Sequence, residues 1–452
     1  MAGRFSAVMT RPARPDHLDI GVFKGPIGPL RRRCPLCWSS SLRASVQLLR
    51  CSGCRSIYYC GPEHQAAHRP HHKLACTTIK KARARLAKEE HDVRNAMADP
   101  MTPANAFETA VGEFWEIMNT RDYMRARNAL ARFLSSIGTL DGVEESLEHL
   151  RDMLRLSRED YIGARLLIPA IMLRLDLDQE CYDFMKWWLV SAEDENYDWS
   201  DPTAPYIDLR GADVLEDPRP LLRKNPELNF VVALLILNLK LLVDIRNIKV
   251  TRKALSRRQL PNELRDLIER EAIRSPLSVK FQRGAPESLI EIEKTILKNT
   301  RHLGTILNET SDTFLPNLFF PEKALTERPM TYLRGSLGET ALVIQDSYAT
   351  WWETEGVLGL VDAANGIVMK DLRVTDDLLM TNERPKNLIL HCMKLTWTYL
   401  DWAFEDASYL GPWSERPSVQ HIKNKEGQAR PEEEVGEYTN ASDDEEWTDD
   451  EY

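Results

Sequence analysis

The 452-residue chain predicts a small Cys/His metal-binding module followed by an all-α body, with disordered segments at both ends. Three observations carry this reading. Six of the eight cysteines fall within residues 34–76, paired at metal-ligand spacings. From about residue 104 to 420 nearly every apolar pattern has a helical period, and no alternating β-branched run is long enough for a sheet. Both ends carry proline or acid where a folded segment would carry core residues.

The composition, 43% apolar and 28% charged, is that of a globular protein and excludes wholesale disorder, collagen and a disulfide scaffold. Residues 1–30 hold Pro12, Pro15, Pro26 and Pro29 without periodicity and predict a flexible leader. It has arginines and few acids, as a mitochondrial transit peptide does, but four prolines oppose the amphipathic helix such a peptide needs. An apolar segment of the secretory type is absent from it.

The module, residues 31–77, reads Cys34-x2-Cys37-x13-Cys51-x2-Cys54-x5-Cys60-x3-His64-x7-His72-x3-Cys76. Clustered CxxC pairs without a secretory context read as metal ligands rather than disulfides. Eight donors make two sets of four, the number structural zinc takes, so two zinc ions are expected. The x2 spacing suits a tight knuckle. The x3 spacing of Cys60/His64 and of His72/Cys76 predicts two donors one turn apart on a helix. A rival set, Cys51, Cys54, His68 and His72, resembles a two-Cys, two-His nucleic-acid finger but strands Cys34, Cys37, Cys60 and Cys76. His68 and His71 are alternative donors beside His72.

The order of pairs, with Tyr58-Tyr59 before Cys60, Gln65 after it and a closing His72-x3-Cys76, resembles a MYND zinc finger. The resemblance implies a cross-brace in which the pairs interleave. Cys34, Cys37, Cys60 and His64 would hold one zinc; Cys51, Cys54, His72 and Cys76 would hold the other. It further implies docking of a short, proline-containing peptide. Two positions depart from the family: His64 stands where Cys is usual, and Arg69 where Trp is usual. Imidazole is a good zinc ligand, so the first is harmless; the second removes a side chain near the family's peptide surface. The finger followed by the stretches at 179–188 and 204–218 is also similar to fungal MYND-finger proteins without an established activity.

Residues 78–98 predict one charged helix, closed off by Pro100 and Pro103. Residues 104–420 predict the all-α domain. Residues 106–134 read as two helices, and 147–156, 161–175, 180–190, 230–248, 262–273, 287–303, 337–352, 357–369 and 388–404 as one each. The proline-rich stretches 198–226 and 312–329 read as loops. Asp122-Tyr123-x2-Ala126-Arg127 recurs as Asp160-Tyr161-x2-Ala164-Arg165, a 38-residue echo that suits a helical-hairpin repeat. The longest apolar run, 230–237, is too short to cross a bilayer and predicts a buried core helix rather than a membrane span. The tail, 421–452, is too acidic and too poor in apolar residues to fold. Within it, Ser442 and Thr448 precede acid runs that suit acidophilic kinases.

Charge is segregated. Residues 31–94 hold 14 Lys/Arg against four acids, and residues 426–452 hold 12 acids against Arg430 alone, so the tail's −11 accounts for the whole net charge of −10. The basic module makes nucleic acid the alternative partner to protein or peptide.

Enzyme signatures fail. The chain has no Gly-x-Gly for a methyl donor or dinucleotide, no Asn-His, no Gly-Lys-Ser/Thr and no Gly-x-Ser-x-Gly. Each zinc has four ligands, whereas a catalytic ion keeps one position open. His391-Cys392, at i and i+1, cannot face each other on a helix. Glu180-Cys181-Tyr182, Trp187-Trp188 and Trp351-Trp352 read as core packing, with one Trp of each pair able to rim a groove. The expected protein is a zinc-binding interaction adaptor without catalysis or a small-molecule substrate, in the reducing cytoplasm or nucleus.

Overall fold

The computed structural model describes residues 9–10, 28–37, 47–97, 103–190, 194, 197–199, 201, 203–223, 226–256, 258–372 and 386–405. Most of the leader and all of the tail, with Ser442 and Thr448, lie outside the described residues. Within them the fold is a finger followed by a mostly helical body, with sixteen α-helices.

The finger is a two-stranded antiparallel ribbon, β2 (Leu49–Arg50) and β3 (Tyr58–Tyr59), leading into α1 (Pro62–Arg94). Pro62 occupies the first turn, where its missing N–H is not needed. The charged helix expected at 78–98 is therefore the second half of α1, which ends at Arg94. Strong helix formers on both sides of Cys76, with no Gly or Pro between Pro70 and Arg94, leave no reason for a break.

The body begins with α2 (Ala106–Thr109), α3 (Arg121–Ser136), α4 (Leu140–Leu156), α5 (Ala164–Arg174) and α6 (Asp178–Val190). Helix α1 lies along α3, and α3 and α4 form a hairpin. The Thr139 hydroxyl caps α4 by accepting from the Gly142 N–H at 3.3 Å. The centre is α7 (Leu228–Leu255), contacted by α5, by α8 (Asn262–Ala272), by α10 (Pro286–Thr310) and by α13 (Leu337–Glu353). Every residue of α7 from Phe230 to Ile248 is buried. Its best 18-residue window has a mean hydropathy of 2.1, long and apolar enough to cross a bilayer, yet 94% of that window is buried inside the protein. Its Lys240 ammonium is held at 2.6 Å by Asp176 and 2.8 Å by Asp178, a pairing that makes a buried cation tolerable.

Short elements fill the rest: α9 (Val279–Gln282), α11 (Phe314–Phe319), α12 (Glu322–Thr326), α14 (Val357–Asp371), α15 (Lys386–Thr396) and α16 (Leu400–Glu405). The loop expected at 312–329 thus contains two short helices, and the single helix expected at 388–404 breaks after Thr396. The first of two helices expected at 106–134 is only the single turn α2, because Phe114 leaves the helical path to become fully buried. A second ribbon, where no strand was expected, pairs β1 (Met9–Thr10) with β4 (Thr331–Tyr332).

The 38-residue echo is one of sequence alone. In α3, Tyr123 and Ala126 are buried and the Tyr123 hydroxyl accepts from Arg127 at 2.6 Å. At the second copy Asp160 has a left-handed φ of 56°, and its carboxylate accepts from the Ala164 and Arg165 N–H groups. That copy starts a helix, so Tyr161 is left exposed.

Candidate metal centre

Two four-donor clusters form in the finger: Cys34, Cys37, Cys60 and His64, and Cys51, Cys54, His72 and Cys76, with all donor atoms of each within 4.8 Å of one another. In the first, His64 Nδ1 lies 3.5 Å from Cys34 Sγ and 3.0 Å from Cys60 Sγ, and Cys37 Sγ lies 3.5 Å from Cys60 Sγ. In the second, Cys51 and Cys76 Sγ are 3.8 Å apart and Cys54 Sγ is 3.5 Å from His72 Nε2. A tetrahedral zinc with Zn–S of about 2.3 Å has S···S edges of about 3.8 Å and S···N edges of about 3.6 Å. The clusters fit two zinc ions, each with three sulfurs and one imidazole.

Each donor has a local cause. Cys51 and Cys54 sit on a turn closed by the Arg55 N–H donating to the Cys51 carbonyl at 3.0 Å, and Arg55 takes a left-handed φ of 59°. Gly53 is required here: a Cβ on it would lie 2.7 Å from Cys76 Sγ. The Ser56 N–H donates to Cys54 Sγ at 3.5 Å. His72 and Cys76 lie one turn apart inside α1, as their spacing predicts. Cys60 does not share a helix with His64: it precedes Gly61, which caps α1, and only His64 is helical. The extended backbone of Gly61 leads from β3 into the helix and brings the pair together instead.

The finger's two other histidines are accounted for. His68 Nδ1 is 3.0 Å from the Tyr59 hydroxyl, its ring stacked on His72 at 5.8 Å, and His71 is exposed. The Cys51/Cys54/His68/His72 set is thus not assembled, because Cys76 takes the fourth position.

The second cluster is the more buried one. Burial pushes the Cys54 thiol up to about 12 and the His72 imidazole down to about 4. Burial also raises the Cys76 thiol, whereas at Cys51 hydrogen bonds from the Cys54 and Gly53 backbone outweigh burial and lower it. A divalent cation would hold all three as thiolates beside a neutral imidazole. All eight cysteines are unbridged.

The finger is braced on the body. Arg83, on the half of α1 beyond the donors, forms a two-pronged ion pair with Glu145 of α4, with Nη2 to Oε2 at 2.6 Å. The same Nη2 donates to the Cys54 carbonyl at 3.1 Å. Asp141 accepts from the Tyr58 hydroxyl at 3.1 Å and from Arg32 at 2.9 Å. Leu30 is buried, and the Gly28 N–H donates to the Glu353 carbonyl at 2.9 Å, so the described end of the leader is tied to the body. No local pattern marks Arg83, Glu145 or Asp141, which meet across 62 residues or more.

Elsewhere, Cys181 is fully buried, and Cys392 is buried while His391 is exposed. Trp187 and Trp188 are both buried, within an aromatic cluster with Tyr197, Trp199 and Tyr206. Trp351 is fully buried.

Residues 34–76 match the MYND finger family. MYND fingers are protein-interaction modules, and a finger joined to a helical body suggests a non-catalytic architecture. No curated protein and no solved structure matches the chain.

Proposed function

We propose that this chain is a zinc-stabilised adaptor whose finger docks a short, proline-containing peptide, that its helical body supplies a second binding surface, and that it performs no catalysis. The observation that carries this is the pair of closed four-donor clusters braced on the body. Each cluster fills the coordination of a structural ion, which suits a scaffold rather than a reaction centre. The bracing supports a rigid surface, which lowers the entropy lost when a peptide binds. Leu36, Leu49 and Leu74 are exposed apolar side chains on the finger available to a peptide.

Part of the module's positive charge is neutralised within the protein, which lowers what remains for nucleic acid. Of the module's basic residues, Arg32 holds Asp141, Arg83 holds Glu145, and Arg94 holds Glu90 and Glu108. Thiolate ligation and unbridged cysteines suit a reducing compartment, the cytoplasm or nucleus.

The test is a titration of the zinc-loaded full chain with proline-containing peptides, followed by fluorescence anisotropy, for wild type, Leu74→Asp and Leu36→Asp. Saturable binding that weakens in these exposed-site variants, with zinc content unchanged, is the expected result. Absence of binding to any such peptide, together with salt-sensitive binding of RNA or DNA, would replace the adaptor with the nucleic-acid reading.

A further inference from the structure

A cavity of about 510 Å³ lies in the body among α4, α5, α6 and the loop that follows Tyr206. Arg151, Arg155 and Arg158 line it at i, i+4 and i+7, one face of α4 and its extension, and Arg210 adds a fourth guanidinium from the loop. Glu180 is the only acid lining it among the described residues. Leu154, Met172, Phe184 and Ile207 make it apolar between the charges.

Two of the four cations already hold carboxylates: Arg151 holds Glu180 at 2.7 Å, and Arg155 holds Asp152 at 2.6 Å. The other two are hydrogen-bonded only to uncharged oxygens among the described residues. Arg158, 5% exposed, donates to the carbonyls of Asp201 and Ala204 and to the Tyr197 hydroxyl, while its buried Nε has no partner there. Arg210 donates to the carbonyls of Ile207 and Leu209. The loop is also strained. Ile207 is β-branched yet has a left-handed φ of 48°, a conformation kept where a binding loop demands it.

We propose that this cavity binds an acidic segment carrying an aromatic side chain, and that the occupant is residues 443–452 of the same chain. That stretch, DDEEWTDDEY, places seven acids around Trp447 and Tyr452. Guanidinium pairs with carboxylate in a two-pronged geometry and stacks on aromatic faces, so an arginine-rimmed apolar cavity selects this combination. The protein already uses the same chemistry at this place: the Arg158 guanidinium lies 4.6 Å from the Tyr206 ring centre and 6.0 Å from that of Tyr197. Reach is ample. Residue 443 lies 38 residues beyond Glu405, the last described residue, a stretch able to span roughly 100 Å when extended. The finger's basic surface, residues 31–94, is the rival site, and the cross-link map distinguishes the two.

The experiment uses the zinc-loaded full chain with Trp447→benzoylphenylalanine, irradiated and mapped by mass spectrometry. Cross-links within one chain to Met172 or to the peptides spanning 151–158 and 206–210 are expected. They should disappear in Arg155→Glu/Arg210→Glu and persist in Lys80→Glu/Lys81→Glu. Raising salt from about 0.1 M to about 1 M, which shortens the screening length from about 10 Å to about 3 Å, should remove most of them. Cross-links confined to residues 31–94, cross-links only between chains, none at all, or a map unchanged in the arginine variant would each overturn the proposal. Circular dichroism and zinc content of the arginine variant, expected to equal wild type, separate a lost site from a lost fold.

Discussion

The Arg83–Glu145 pair joins the finger to the body, and its strength can be worked from its surroundings. Both side chains are 23% exposed. Burial pushes the Glu145 carboxyl up, but hydrogen bonds from Arg83 and His149 outweigh it and hold the group down to about 2 against an ordinary 4.5. A shift of that size converts to about 3 kcal/mol if undiminished. Part belongs to His149 and part is lost to solvent screening, which leaves about 1.5–2 kcal/mol for the pair. The assay is a double-mutant cycle with Arg83→Met and Glu145→Gln in the full chain. Urea unfolding is followed by zinc release, so that the transition read is the finger's own. Because Arg83 also donates to the Cys54 carbonyl, Arg83→Met should release zinc to a chelator faster than Glu145→Gln does. A coupling energy below about 0.5 kcal/mol, the level of an ordinary surface pair, would refute the claim that this contact fixes the finger in place.

Four further outcomes follow from the geometry. Native mass spectrometry should count two zinc ions on the full chain and one in Cys34→Ser, because the clusters share no donor. Gly53→Ala puts a Cβ 2.7 Å from Cys76 Sγ, and a competition titration should show the second ion held about tenfold or more weakly, as for other losses of support around a metal. Gly304→Ala drives a Cβ to within 2.2 Å of the Trp397 ring, so melting should report a loss of about 1–3 kcal/mol at this helix contact. Burial raises the Asp244 carboxyl to about 6 against the Arg274 and Ser275 N–H groups it accepts from. The folded state then binds the proton more tightly than the unfolded one, so this group favours folding when protonated and costs stability as pH rises through about 6. Relative to wild type, Asp244→Asn should lose its disadvantage as pH rises from about 4 to about 6.5 in parallel melts, on the order of 2 kcal/mol across that window; equal pH slopes would contradict the assignment.

The finger was legible in the sequence because metal geometry is local. Eight donors within 43 residues, spaced by twos and threes, leave few ways to complete two tetrahedra, and the interleaved one implied by the MYND resemblance is the one assembled. Spacing alone misplaced Cys60, since x3 fits an extended entry into a helix as well as a helix itself. The all-α body was equally plain, for helical periodicity depends on neighbours three and four residues away. The echo at Tyr123 and Tyr161 misled for the opposite reason. The same six-residue pattern lies within a helix in one place and starts a helix in the other, according to what packs around it.

The sequence by itself determined which residues can bind metal and which segments coil into helices, because bond lengths and the helical repeat act over a few residues. Tertiary structure alone decided which helices enclose α7, that Arg83 reaches Glu145, and that four arginines from α4, its extension and a distant loop surround one cavity. Those contacts join residues 30 to more than 60 positions apart, and their energies exist only once the apolar faces of the helices have closed on one another.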